Sequence, residues 1–255
     1  MNKLQNKVSV ITGAGSGMGK AIALLFAAEG SMVVAADIRQ DRLDELQKEI
    51  TDLGGRVTCV LANMADEADI ERMINTAVTH YGTLDVLVNN AGIMDHFAPV
   101  GALDNTMWEK VMAVNVDGPF KAMRSALRIF LPKGSGSIIN IASVGGLYGA
   151  RAGAAYTASK HALIGLSKNT GYMYAKTGIR CNAIAPGAVA SNIGDTIDFS
   201  KITPLVNERI MPGMALNPRT GEASEIAKAA LFLAGDDASF VNAEVLVVDG
   251  GWSAY

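Results

Sequence analysis

Short apolar runs alternate along this chain with longer stretches whose apolar residues recur three and four positions apart. The short runs cover 7–12, 32–37, 56–61, 84–88, 137–142, 179–184 and 244–248. They are rich in Val and Ile and read as strands. Among the longer stretches, 17–29 sets Ile22, Leu25 and Phe26 on one helical face, and 41–53 does the same with Leu43, Leu46 and Ile50. Helical spacing continues over 66–81, 105–131, 154–176 and 222–234, with 105–131 broken or bent near Gly118 and Pro119. Strands that alternate with helices of this length predict repeated βαβ units and a parallel sheet. Nearly continuous apolar strands require cover on both faces. The expectation is an α/β, doubly wound fold with helices on both sides of a seven-stranded sheet.

No linker rich in Pro, Gly or Ser divides the chain, so 1–255 reads as one domain. One stretch breaks the rhythm. Residues 191–214 are too many for an ordinary connection, and they carry Ile193, Ile197, Phe199, Ile202, Leu205, Val206, Ile210, Met211 and Met214. They would form a lid over an apolar substrate, or else pack on the body or on a neighbouring subunit.

Composition narrows the functional classes. At 49% hydrophobic and 18% charged over 255 residues, the chain is globular and not disordered. A net charge of −3 leaves no basic footprint for nucleic acid, and no basic run suits an anionic membrane. No apolar stretch approaches the ~20 residues that span a bilayer. The first apolar segment is too short for a secretion signal, so a cytoplasmic location is expected. Cys59 and Cys181 lie in apolar stretches without a Cys-x-x-Cys pair and read as buried thiols. His80, His96 and His161 are too dispersed for a metal site, and none is expected.

Candidate chemistry starts at the first strand, which runs into Thr12-Gly13-Ala14-Gly15-Ser16-Gly17-Met18-Gly19 and then a helix. A strand, glycine loop and helix turn backbone N–H groups toward a pyrophosphate at the helix N-terminus. Gly13 would make the turn, Gly17 admit the phosphates and Gly19 let the helix pack on the strand. Asp37 ends the second strand, where a carboxylate can accept hydrogen bonds from both adenosine ribose hydroxyls and repel a 2′-phosphate. NAD is therefore the expected cofactor. Arg39, the nearest cation, leaves NADP as the lesser alternative. Tyr156 and Lys160, four apart in a predicted helix, project from one face. An ammonium beside a phenol favours the phenolate, so Tyr156 could act as a general base or, protonated, as a general acid. Ser143 follows the fifth strand at the carboxyl edge of the sheet, where ligands of open α/β sheets bind. Asn115 is a small polar residue inside a predicted helix, where it is mildly disfavoured.

Taken in order, Thr12-Gly13-x-x-x-Gly17-x-Gly19, Asn89-Asn90-Ala91-Gly92, Asn115, Ser143, Tyr156-x-x-x-Lys160, Pro186-Gly187 and Val248-Asp249-Gly250-Gly251 resemble the short-chain dehydrogenase/reductase family over almost the whole chain. The resemblance implies a sheet in the order 3-2-1-4-5-6-7, usually a homotetramer, and a small alcohol or ketone as substrate. It implies that Tyr156 transfers the proton, Ser143 holds the substrate oxygen, Lys160 binds the nicotinamide ribose and lowers the Tyr156 pKa, and Asn115 holds a water of the proton relay. It places Ser16, Met18, Ile38, Asn63, Met64, Asn89, Ala91, Gly92, Pro186, Gly187, Val189 and Ser191 around the cofactor. Many family members have Asp-Val where this chain has Asn63-Met64, and Thr where it has Ser191. The substrate candidates are Gly145, His96, Arg151 and Ile193, besides Ser143 and Tyr156. The family leaves alternatives: a 3-oxoacyl-(acyl-carrier-protein) reductase, with Arg124 and Arg128 as a thin basic patch for the carrier, or a hydroxysteroid or sugar dehydrogenase. Enoyl reductases space Tyr and Lys more widely than four. A non-catalytic dinucleotide-binding regulator would commonly lack the Tyr or the Lys, and both are present here.

Overall fold

The computed structural model describes residues 2–254. Among them, seven parallel strands form one sheet in the order β3-β2-β1-β4-β5-β6-β7. The strands are β1 (Val8–Thr12), β2 (Met32–Asp37), β3 (Arg56–Leu61), β4 (Val86–Asn89), β5 (Gly136–Ile141), β6 (Ile179–Pro186) and β7 (Val245–Val248). The helices are α1 (Gly17–Ala28), α2 (Gln40–Asp52), α3 (Glu67–Tyr81), α4 (Asn105–Met112), α5 (Gly118–Lys133), α6 (Ala154–Met173), the short α7 (Pro204–Arg209) and α8 (Met211–Met214), and α9 (Ala223–Ala234).

Alternation along each strand explains why the runs are apolar throughout. Ile11, Val33, Ala35, Val88, Ile139 and Ile184 face one way, into a core shared with Ile22 and Phe26 of α1, Leu43 of α2 and Ala230 of α9. Val10, Val34, Ala36, Leu87 and Ile138 face the other way, against Ile70 and Met73 of α3 and Ala126 and Phe130 of α5. The inner strands β1, β2, β4, β5 and β6 are thus buried on both faces, the edge strands β3 and β7 stay partly exposed, and every loop leaving a strand's carboxyl end opens at the same sheet edge. The direction in which successive strands are added reverses between β1 and β4, which leaves a crevice at that edge, the usual ligand position in such sheets.

The expected helix over 105–131 is three pieces. A π-helical turn, Ala113–Asp117, separates α4 from α5. The irregularity lies ahead of Gly118 and Pro119 because Pro119 has no N–H to close an α-turn on the Asn115 carbonyl. Asn115 itself sits in the π turn. The predicted 154–176 helix ends at Met173, followed by a 3₁₀ turn, Ala175–Thr177. β6 runs on to Pro186, whose neighbour is Val248 of β7. Cys59 and Cys181 are both free thiols.

Candidate active site

The loop between β1 and α1 is built by close backbone approach. Gly13 has φ +63°, a left-handed conformation that side chains resist. A Cβ on Gly19 would lie 2.0 Å from the Gly13 carbonyl oxygen, so only glycine lets α1 start there. Asn90, just past β4, locks the loop: its Nδ2 donates to the Thr12 carbonyl at 2.9 Å, and its own N–H donates to Thr12 Oγ1 at 2.9 Å. The Asp37 carboxylate is buried at the end of β2 and accepts from the Gly15 N–H at 2.9 Å and the Arg39 N–H at 3.0 Å.

A cavity of about 480 Å³ runs from Asp37 and Ile38 past Ser16, Gly17, Met18, Asn63 and Met64 to Ala91, Gly92, Ser191 and Ile193. Its size, its glycine walls and the free N-terminus of α1 fit a dinucleotide. Ser16, the N-cap of α1, makes no side-chain capping bond, so the orphan N–H groups of that first turn remain available to phosphate oxygens.

Next to this groove, α6 carries Tyr156 and Lys160, both buried. The Lys160 ammonium donates to the Ile141 carbonyl at 2.8 Å and lies 5.5 Å from the centre of the Tyr156 ring. It also lies 3.5 Å from where a Gly92 Cβ would stand, so it reaches the groove. Ser143 Oγ accepts from the Gly145 N–H at 3.0 Å. Asn115 is fully buried; its Oδ1 accepts from the Ile93 N–H at 2.9 Å, and its Nδ2 donates to Ser159 Oγ at 3.1 Å. Its side chain therefore ties the π turn to the loop after β4 and to α6. Burial pushes the Tyr156 phenol up to about 12, partly opposed by a hydrogen bond with Ser143. Burial brings the Lys160 ammonium down to about 8. The sequence leads one to expect a phenol lowered by Lys160. In the chain alone desolvation wins, and Tyr156 holds its proton.

A second cavity, of about 200 Å³, meets the first at Met18, Ser191 and Ile193. Ser143, Tyr156, Pro186, Gly187 and Val189 form its polar and backbone wall, and Met94, Phe97, Ile197, Met214 and Trp252 its apolar wall. Residues 191–214 supply much of the cover as short 3₁₀ and α turns. Ile193, Ile197, Ile202, Ile210 and Met211 pack on Tyr156, Phe97 and Val206. Arg151 reaches this cavity, stacks 4.3 Å above the Trp252 ring and donates to the Gly213 carbonyl at 3.2 Å. Gly145 stands behind Ser143 and does not line the cavity.

Three expectations need correction. Asn89 does not reach the cofactor groove: it faces Asn140 across the β4–β5 pair and donates to it at 2.8 Å, inside the core. Asn90 does the loop-holding instead. His96 does not line the substrate cavity. It is buried, in a left-handed conformation, and its Nδ1 accepts from the Asp198 N–H at 2.8 Å, tethering the 191–214 segment. Arg39 is not the cation at the adenosine end, because it turns outward to a two-bond pair with Asp41. Arg42 takes that place: one nitrogen donates to Ser16 Oγ at 3.2 Å and another lies 3.4 Å from Asp195 of the lid. Its position in the first turn of α2 was visible in the sequence, but its contact with Asp195 crosses 153 residues.

Comparison with known proteins agrees with this geometry. The family model described as enoyl-(acyl carrier protein) reductase matches residues 13–253. The chain is 43% identical to a 3beta-hydroxysteroid dehydrogenase of Eggerthella lenta, over 99% of this chain and 96% of that protein. It is 38% identical to a 3-oxoacyl-[acyl-carrier-protein] reductase of Thermotoga maritima, over 98% of each. The crystal structure of a levodione reductase superposes with a TM-score of 0.89 at 35% identity, covering 99% of this chain and all of that one.

Proposed function

Because the chain belongs to the short-chain dehydrogenase/reductase family, we propose that it interconverts a secondary alcohol and a ketone, with NAD(H) as cofactor and Tyr156 as the proton-transferring group. One observation carries the reading: a buried Tyr–Lys pair and Ser143 meet where a dinucleotide-sized groove joins a small apolar cavity. When bound, the nicotinamide supplies or takes up the hydride.

The chain's own residues handle the oxygen and its proton. Ser143 donates to the substrate oxygen and orients it. The Tyr156 hydroxyl gives its proton to a ketone oxygen during reduction. Its high pKa keeps that proton in place at neutral pH. During oxidation Tyr156 must accept the alcohol proton, which needs positive charge beside the phenolate; Lys160 is the chain's contribution. Met94, Phe97, Ile197 and Trp252 exclude water from the reacting oxygen. Asp37 accepts the adenosine ribose hydroxyls.

The apolar wall suits an alicyclic substrate, as does the similarity to a hydroxysteroid dehydrogenase. The carrier-protein reading loses its basic patch. Arg124 is paired with Glu67, and Arg128 with Glu71. NADP(H) is the second reading, favoured by Arg42 beside Ser16. A panel of alicyclic, steroidal and acyclic alcohols and ketones, followed by NADH absorbance in both directions, tests the proposal. Turnover of an alicyclic pair, lost by more than about tenfold in Tyr156→Phe with NADH binding kept, is expected, since general acid–base groups contribute about 10²–10⁴-fold. A Tyr156→Phe chain as active as the parent would remove Tyr156 from the mechanism.

A further inference from the structure

A carboxylate lies buried beneath the catalytic helix and has no part in the chemistry above. Asp95, in the loop after β4, is fully buried. Its Oδ2 accepts from the Tyr156 N–H at 2.9 Å, while its Oδ1 finds no hydrogen-bond partner among the described residues. The residue before α6 is Gly153, which offers no capping side chain. A Cβ there would fall 2.4 Å and 2.5 Å from the two Asp95 oxygens. The carboxylate thus occupies the space where a local cap would stand, and it caps α6 from another part of the chain. A second bond, from the Ala154 N–H to the Ala98 carbonyl at 2.9 Å, fastens the same turn to the same loop.

The loop is held at its other side by the lid. The Met94 N–H donates to Thr196 Oγ1 at 3.1 Å, and His96 accepts from the Asp198 N–H. His96 and Phe97 are consecutive non-glycine residues at φ +57° and +59°. Side chains rarely adopt that conformation, and two in a row persist only when their surroundings fix them. Phe97 also lines the substrate cavity.

We propose that Asp95 is a positioning residue for Tyr156: it fixes the first turn of α6 through the Tyr156 amide and joins that turn to the lid through the strained Met94–His96–Phe97 backbone. The inference rests on Tyr156 being the proton-transferring group. The charge has a consequence of its own. The ionisable groups facing Tyr156 are Lys160 on α6, Asp95 from the β4 loop, and Arg151 at the shared cavity, which is engaged with Trp252 and Gly213. Asp95 is the negative one: burial is the main cause that holds the phenol proton on, and the Asp95 charge adds to it. Its own pKa is raised by burial, with the Tyr156 amide among the groups that oppose the rise.

Asp95→Asn and Asp95→Ala separate placement from charge. Asn keeps an acceptor for the Tyr156 amide but removes the charge, so the rising limb of alcohol oxidation should move to lower pH by half a unit or more. Ala removes the acceptor, so kcat should fall further than in Asn. The fall should approach the ~10²-fold that a 1 Å misplacement costs, with the NADH dissociation constant within about twofold of the parent's. A structural defect alone would lower the amount of folded protein and leave the pH limb unmoved. A D95N profile superimposable on the parent's overturns the inference, as does a D95A kcat within twofold of the parent's. If D95A does not fold, the D95N profile alone decides. Tyr156→Phe run beside them keeps the two readings apart. Full activity in that variant sinks the functional reading, whereas an inactive Tyr156→Phe with unaltered Asp95 variants sinks only the positioning role.

Discussion

The proposed preference for NAD(H) rests on a single side chain, Asp37. It closes β2 with both oxygens already accepting backbone N–H groups, so it is held rigid at the groove wall. A fixed carboxylate there favours two ribose hydroxyls and repels a 2′-phosphate. Asp37→Ala should raise KM for NAD(H) and bring the NAD/NADP ratio of kcat/KM down by about tenfold or more, a change of ~1.4 kcal/mol. Steady-state kinetics with both cofactors check this; a parent chain that prefers NADP(H) would contradict the assignment outright. Asp37, Ser143, Tyr156 and Lys160 stood out in the sequence because each follows a strand or shares a helical face. Asn89 ends β4 as Asp37 ends β2, but the pleat turned it to Asn140 while turning Asn90 to the loop. A one-residue difference in strand end reverses the side a residue faces.

Among the elements, the 191–214 segment is where sequence said least. Its apolar residues fitted both a lid and packing on the body; in the structure Ile193 and Ile197 line the smaller cavity, while Val206 is buried in a cluster with Phe97. What spans the cofactor groove is the Asn192–Thr196 turn, tied down by the Arg42–Asp195 pair and by Thr196. The pair is partly exposed, so its own contribution to stability is small. On the lid reading its role is that of a latch. Hydrogen exchange over 191–214 should be faster in the free chain than with NADH and substrate bound. Asp195→Ala should speed it further in the free chain and raise KM for the cofactor by a few-fold. Exchange that is slow in every state would make the segment a fixed part of the body.

At the scale of the whole molecule, the buried ammonium of Lys160 couples the site to stability. Its pKa falls from 10.5 unfolded to about 8 folded because burial penalises the charged form. Between those values the unfolded chain binds more protons, so stability rises with pH; below about 8 the full penalty applies. The difference is roughly 3 kcal/mol at ~1.4 kcal/mol per pH unit. Lys160→Met should lack this rise. Urea unfolding of the cofactor-free chains from pH 7 to 10 should show the parent gaining on the variant by an amount of that order. Cys59 and Cys181, held near 11 and 12 by burial, pull stability the other way above pH 9, but equally in both chains. Parallel curves would mean that Lys160 is not desolvated as its burial requires.

The sequence by itself determined the alternation of strands and helices, the doubly covered sheet, the phosphate loop and the Tyr–Lys pair. These depend on periodicities of two and 3.6 residues and on glycine spacing, which are local properties of the chain. Only the tertiary structure decided that Asp95 caps α6, that Arg42 meets Asp195, that His96 meets Asp198, and that burial raises the Tyr156 phenol. Each of these is a contact or a desolvation created between segments far apart in the chain. The strength of such interactions depends on distance and on exclusion of water, and neither exists until the elements have packed.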